Sequence, residues 1–278
     1  MRKIADGCVR RLQLSAALVM TLVLGLNLAA CANNPGAQGQ GGSKADLVTD
    51  SDEPDGRKRA RIRLELAVGY FEQGQTTVAL DELKQSIAAD PNFGEAYNLR
   101  GLIYMRLGDF RLAEESFRRS LTLTPGDSNT YHNYGWLMCQ QGRPAEALQL
   151  FSQALVNPLY ADRPKTLMTQ GLCQIKAGQP AQAEQSLLRS YELDAGNPIT
   201  GYNLSALLFR RGEFVRAQFY IRRLNNSDLA NAESLWLGIK VERLVNNRDA
   251  VEQLAGQLRK RYPQSRELAL YEREAFDE

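Results

Sequence analysis

Residues able to do covalent or metal chemistry are scarce in this 278-residue chain, which holds one histidine, His132, and four cysteines, Cys8, Cys31, Cys139 and Cys173. A helical zinc site needs paired ligands on one face, and His132 has no Glu-x-x-His or His-x-x-x-His neighbour. It reads as a groove or packing residue of a helix. No Cys-x-x-Cys pair offers redox or zinc chemistry. There is also no GxxxxGK loop to cradle a phosphate, no dinucleotide fingerprint and no Gly-x-Ser-x-Gly elbow. Adjacent acids such as Asp81-Glu82 and Glu114-Glu115 lie beside basic residues on helical turns and read as solvated faces, since catalytic carboxylates must converge in a pocket. The expectation is a protein that is not an enzyme, with no cofactor, no metal and no small-molecule substrate.

One cysteine has a different setting. Arg2, Lys3, Arg10 and Arg11 precede the apolar run Leu12 to Ala30, the layout of an export signal. An uncleaved anchor competes, because nineteen mostly apolar residues approach the roughly 20 that cross a bilayer. Gln13, Ser15 and Asn27 weaken that reading, and Leu28-Ala29-Ala30-Cys31 resembles the bacterial lipobox, in which the cysteine is lipidated and becomes residue one. Residues 1–30 are therefore expected to be removed and Cys31 to carry a covalent lipid. Cleavage lowers Lys plus Arg from 34 to 30 and Asp plus Glu from 32 to 31, leaving about one net negative charge. No global positive field remains to attract nucleic acid. Each buried CH2 of an acyl chain contributes about 0.8 kcal/mol, so several chains on Cys31 hold a protein at a membrane without a spanning helix. Ala32 follows, where lipoproteins kept at the inner membrane commonly have Asp, so the expected location is the periplasmic face of the outer membrane.

Residues 31–56 are rich in Gly, Gln, Asn, Ser and acids and hold two prolines, too poor in apolar groups to fold alone. As a flexible coil, such a tether reaches roughly 25 to 30 Å. Beyond it, residues 57–262 repeat. Ala67, Gly101, Gly135, Gly171, Ser205 and Gly238 follow one another at steps of 34, 34, 36, 34 and 33. Twelve residues after each stands a second small residue, Ala79, Ala113, Ala147, Ala183, Ala217 or Ala250, and four later a bulky one, Leu83, Phe117, Phe151, Leu187, Ile221 or Leu254. Glycine or asparagine turns fall between the halves, and Pro91, Pro125 and Pro263 close repeats one, two and six. The pattern resembles the tetratricopeptide repeat, a helix pair in which small side chains let two helices approach and bulky ones fill the space beside them. The fold class expected is all-α, a right-handed α-solenoid of about six repeats, with residues 263–278 supplying a capping helix.

Such solenoids hold peptides in a concave groove. The expected lining is Val68 and Phe71 in repeat one, Asn98, Leu102 and Met105 in repeat two, His132, Trp136 and Cys139 in repeat three, and Met168, Leu172 and Ile175 in repeat four. These positions are mostly apolar and suit a hydrophobic or amphipathic segment. Cys139 and Cys173 occupy near-equivalent places in neighbouring repeats. A periplasmic disulfide between them is open, but their offset by two positions favours two separate small residues.

Asn133-Tyr134-Gly135, Asn157-Pro158-Leu159-Tyr160, Gly171-Leu172-Cys173, Leu235-Trp236-Leu237-Gly238 and the Tyr262-Pro263 ending, with the irregular 36-residue step, resemble the type IV pilus biogenesis lipoproteins of the PilF/PilW family. The resemblance runs from the lipobox through all six repeats. It implies a pilotin, a lipid-anchored chaperone that binds subunits of the type IV pilus secretin and promotes their multimerisation in the outer membrane. A repeat scaffold of another envelope assembly would share the lipobox and the repeats.

Overall fold

In a computed structural model of the chain, residues 52–277 are described. The signal, Cys31 and nearly all of the tether lie outside them. Among the described residues there are thirteen helices and no strand: α1 Asp55–Glu72, α2 Thr76–Ala89, α3 Gly94–Leu107, α4 Phe110–Leu123, α5 Ser128–Gln140, α6 Pro144–Ala154, α7 Arg163–Lys176, α8 Pro180–Leu193, α9 Pro198–Arg210, α10 Phe214–Asn225, α11 Ala232–Leu244, α12 Arg248–Arg261 and α13 Arg266–Glu272. They pair as six hairpins, α1 with α2 through α11 with α12. The first helix already includes Asp55 and Gly56, the last two residues of the expected tether.

Local chemistry sets the helix ends. The side chains of Asp109, Asp127, Asn197, Asn247 and Ser265 accept from orphan backbone N–H groups of the first turn, and Asn231 with Ser234 forms a reciprocal capping box. Pro144, Pro164, Pro180 and Pro198 enter helices at the first or second position, where a missing N–H costs little. The turn inside each hairpin needs one residue in the left-handed region. Glycine supplies it in five repeats, while Asn246 takes it in the sixth at φ 59°.

The small and bulky positions meet as the spacing demands. A Cβ added to Gly135 would stand 2.8 Å from the Phe151 ring, and one on Gly101 would stand 2.5 Å from Phe117. Phe117, Phe151, Leu187 and Ile221 are fully buried beneath those contacts. Hairpins are tied to their successors by buried hydroxyls: Ser120 to Thr130 at 2.9 Å, and Ser190 to Thr200 at 3.1 Å. The longer step before repeat four is absorbed by residues 155–162, which the Arg163 guanidinium closes by donating to the Leu155 and Asn157 carbonyls at 2.7 and 2.9 Å. At the end of the array, α13 packs Leu268 and Leu270 against Trp236 and Leu258, covering the apolar face that a seventh hairpin would otherwise bury.

The curvature follows from which helices touch. The first helices of consecutive hairpins contact one another all along the array, whereas no two consecutive second helices do. A stack that is tight on one side and open on the other bends toward the tight side, so α1, α3, α5, α7, α9 and α11 line the concave face.

Candidate partner-binding groove

The eleven residues expected in the groove all lie on these inner helices, but the structure sorts them. Phe71, Asn98, Leu102, Met105, Trp136, Met168, Leu172 and Ile175 are half-buried, and Val68 is 37% exposed. Leu102, Met105 and Trp136 rest on the core around Phe117 and Phe151, while Met168 and Ile175 rest on the core around Leu187 and Leu204. Each thus offers one side to the interior and one to solvent. The Asn133 amide donates to the Asn98 carbonyl at 3.1 Å, joining the inner helices of repeats two and three.

Two members leave the groove. His132 is only 6% exposed; its Nδ1 lies 2.9 Å from Thr166 Oγ1 and its ring is tilted against Phe151. Burial, with a smaller push from Lys165, lowers its pKa from 6.5 to about 4, so the ring is neutral at neutral pH. It is a packing residue between repeats three and four; among the described residues no group of three potential metal ligands exists.

Cys139, also 6% exposed, is bonded to Cys173, with Cα atoms 5.8 Å apart. This overturns the expectation of two separate small residues. The offset that argued against a bond is the register in which neighbouring inner helices face each other: the residue four after one repeat's small residue meets the residue two after the next repeat's. The same register brings Lys240 of α11 over the Phe209 ring of α9 at 5.7 Å. The disulfide therefore lies across the α5–α7 contact, at the junction with the irregular step.

Part of the charge on the outer side is paired internally. Glu114 takes Arg118 and Arg143 and also the Tyr134 hydroxyl; Glu184 takes Arg211 and Arg216; Glu242, 1% exposed, takes Arg222 and Gln218. Glu114 is thus an anchor between hairpins and not the solvated acid that its neighbourhood in the sequence suggested. Burial alone would raise the Glu184 carboxyl, but hydrogen bonds from Arg216 and Arg211 outweigh it and hold the group below its usual range.

Along the inner helices the pattern is instead cation over ring. Arg106 lies over Phe71, Lys176 over Trp136, and Lys240 over both Phe209 and Trp236, all within 5.3 Å except the Lys240–Phe209 pair. Lys240 and Trp236 stand four apart on α11, but the other three pairs join different helices about one repeat apart and could not be read from spacing alone.

Comparison with known proteins places this geometry. Tetratricopeptide-repeat family models match residues 69–108, 93–155 and 135–198. The chain is 28% identical over 260 residues to the type IV pilus assembly protein PilF of Pseudomonas aeruginosa, covering 93% of this chain and 98% of that one. The solved structure of that PilF superposes with a TM-score of 0.70, over 79% of this chain and 99% of its own. PilW, described as a widely conserved type IV pilus biogenesis factor, superposes at 0.68 with 28% identity, over 76% and 97%. YrrB, a repeat protein with an unusual peptide-binding site, shares the fold at 17% identity and a TM-score of 0.54.

Proposed function

Because this chain is a tetratricopeptide-repeat protein homologous to PilF and PilW, we propose that it serves type IV pilus biogenesis as a pilotin. In this reading it is a binding protein without catalysis. Cys31 carries the lipid that holds it at the periplasmic face of the outer membrane, the tether gives reach, and the concave face takes a segment of a secretin subunit before the subunits assemble. The observation that carries the reading is the match to PilF over 98% of that protein's length.

The physical parts suit the task. Half-buried apolar side chains in a row, Leu102, Met105, Trp136, Leu172 and Ile175, cover an apolar segment without requiring a pocket. Shielding that segment keeps an unassembled subunit from self-association.

Deleting the protein in its host, then running membranes unheated on a gel probed for the pilus secretin, tests this. Loss of multimers with monomer retained is expected. Normal multimers in the outer membrane would refute the pilotin role.

A further inference from the structure

We propose that the concave groove selects an acidic amphipathic helix, through a ladder of cations at the last turns of the inner helices; the inference rests on the groove being the binding face. Five residues after each repeat's small residue stand Arg106, Lys176, Arg210 and Arg243, in repeats two, four, five and six; repeats one and three have Glu72 and Gln140. All four cations are exposed. None joins an ion pair among the described residues; of the outer side's arginines, Arg118, Arg143, Arg211, Arg216 and Arg222 are held by glutamates, while Arg119, Arg189 and Arg223 join none but stand on helices outside the groove.

A cation in a last turn also interacts favourably with the helix dipole; the outer helices α2, α4, α6 and α8 end without one, while α10 and α12 end with Arg222 and Arg223 and with Arg259, Lys260 and Arg261. Arg106, Lys176 and Arg243 are steered by rings, Phe71, Trp136 and Phe276, so their stems lie along the apolar lining and their charged heads stand at its edge. The exposed acids Glu95 and Glu233 sit in first turns, at the opposite end of the inner helices. The groove is therefore apolar in the middle and positive along one rim.

Spacing indicates what fits. Packed helices lie roughly 8–10 Å apart, so the rungs of repeats four, five and six repeat at about that distance, and Arg106 stands two such steps before Lys176. A helix advances about 10 Å in seven residues. A partner helix with an apolar stripe and an acid every seventh residue brings one carboxylate to each rung. A flat anionic bilayer cannot do so, because it cannot follow a concave row.

The test uses the full chain and two synthetic helical peptides with one shared apolar stripe, one bearing Glu at every seventh residue and the other Lys. At low salt the Glu peptide should bind at least about tenfold more tightly, the scale of a few exposed ion pairs. The preference should vanish in Lys176→Gln/Arg210→Gln and invert in Lys176→Glu/Arg210→Glu, with thermal melting unchanged in the Gln variant. Equal affinity for both peptides, or a preference that survives charge reversal, overturns the proposal. So does recruitment to phosphatidylglycerol vesicles with neither peptide bound. Trp136→Ala with Leu172→Ala separates the two claims, because it removes apolar lining without adding charge: it should weaken both peptides alike. If it leaves both unchanged, the groove reading itself fails; if it weakens both while charge changes do nothing, only the ladder fails.

Discussion

His132 makes the stability of the array depend on acid in a way that one substitution isolates. Its neutral ring is enclosed between α5, α7 and Phe151, and burial lowers its pKa from 6.5 to about 4. Thr166 can rotate its hydroxyl to serve either protonation state, so the penalty for charging the ring is chiefly lost hydration. A base whose folded pKa lies below its unfolded value binds its proton more readily when unfolded. Stability is therefore fully present above about pH 6.5 and is lost as pH falls toward 4. The gap between the two values corresponds to roughly 3 kcal/mol in full, and to about 2.5 kcal/mol at about pH 4.5. His132→Gln keeps a hydrogen-bonding group near Thr166 and removes the titration. Urea unfolding of both chains at about pH 7.5 and about pH 4.5 reads the effect. The wild-type midpoint should fall further than the variant's by on the order of 1 M. Carboxylates lower both midpoints together and cancel in the comparison. If the two chains lose midpoint in parallel, His132 is not held neutral by burial and the placement argued for it is wrong.

Two further outcomes follow from the packing. Replacing Cys139 and Cys173 together by Ala removes a cross-link spanning 34 residues, which should lower stability by about 3 to 4 kcal/mol in the loop-entropy picture while helix content by circular dichroism is retained; an unchanged denaturation midpoint would deny the bond a stabilising role. Gly135→Ala places a Cβ 2.8 Å from the Phe151 ring and 3.2 Å from the Ala147 carbonyl, and should cost about 1 to 3 kcal/mol in the same assay, whereas Gly256→Ala, with nothing within 4 Å, should not destabilise.

Much of this molecule is decided by short-range pattern. A small residue every 33 to 36 positions, a second small residue twelve later and a bulky one four beyond that leave a helix pair no other way to bury its stripe, so repeat number, helix order and the Gly135–Phe151 type of contact are legible along the chain. The turns and caps are local as well, down to Asn246 standing where five other repeats use glycine.

What the line of residues does not carry is the relation between neighbouring hairpins. Position in the repeat says which helix a residue is on, but two inner helices face each other through different edges, so equal positions do not meet. For that reason Cys139 reaches Cys173 despite their offset, Lys240 reaches Phe209 by the same offset, and His132 turns inward to Thr166 while Trp136, four residues on, keeps one side in the groove. Charge follows the same division. The sequence states how many arginines and glutamates there are; only their distribution over a curved stack shows that Arg118, Arg143, Arg211, Arg216 and Arg222 are spent on Glu114, Glu184 and Glu242 while four cations on the inner rim are left facing outward. Periodicity is a property of bonds along the chain, whereas the edge a helix shows its neighbour is set by packing across it, and that is where the binding surface is made.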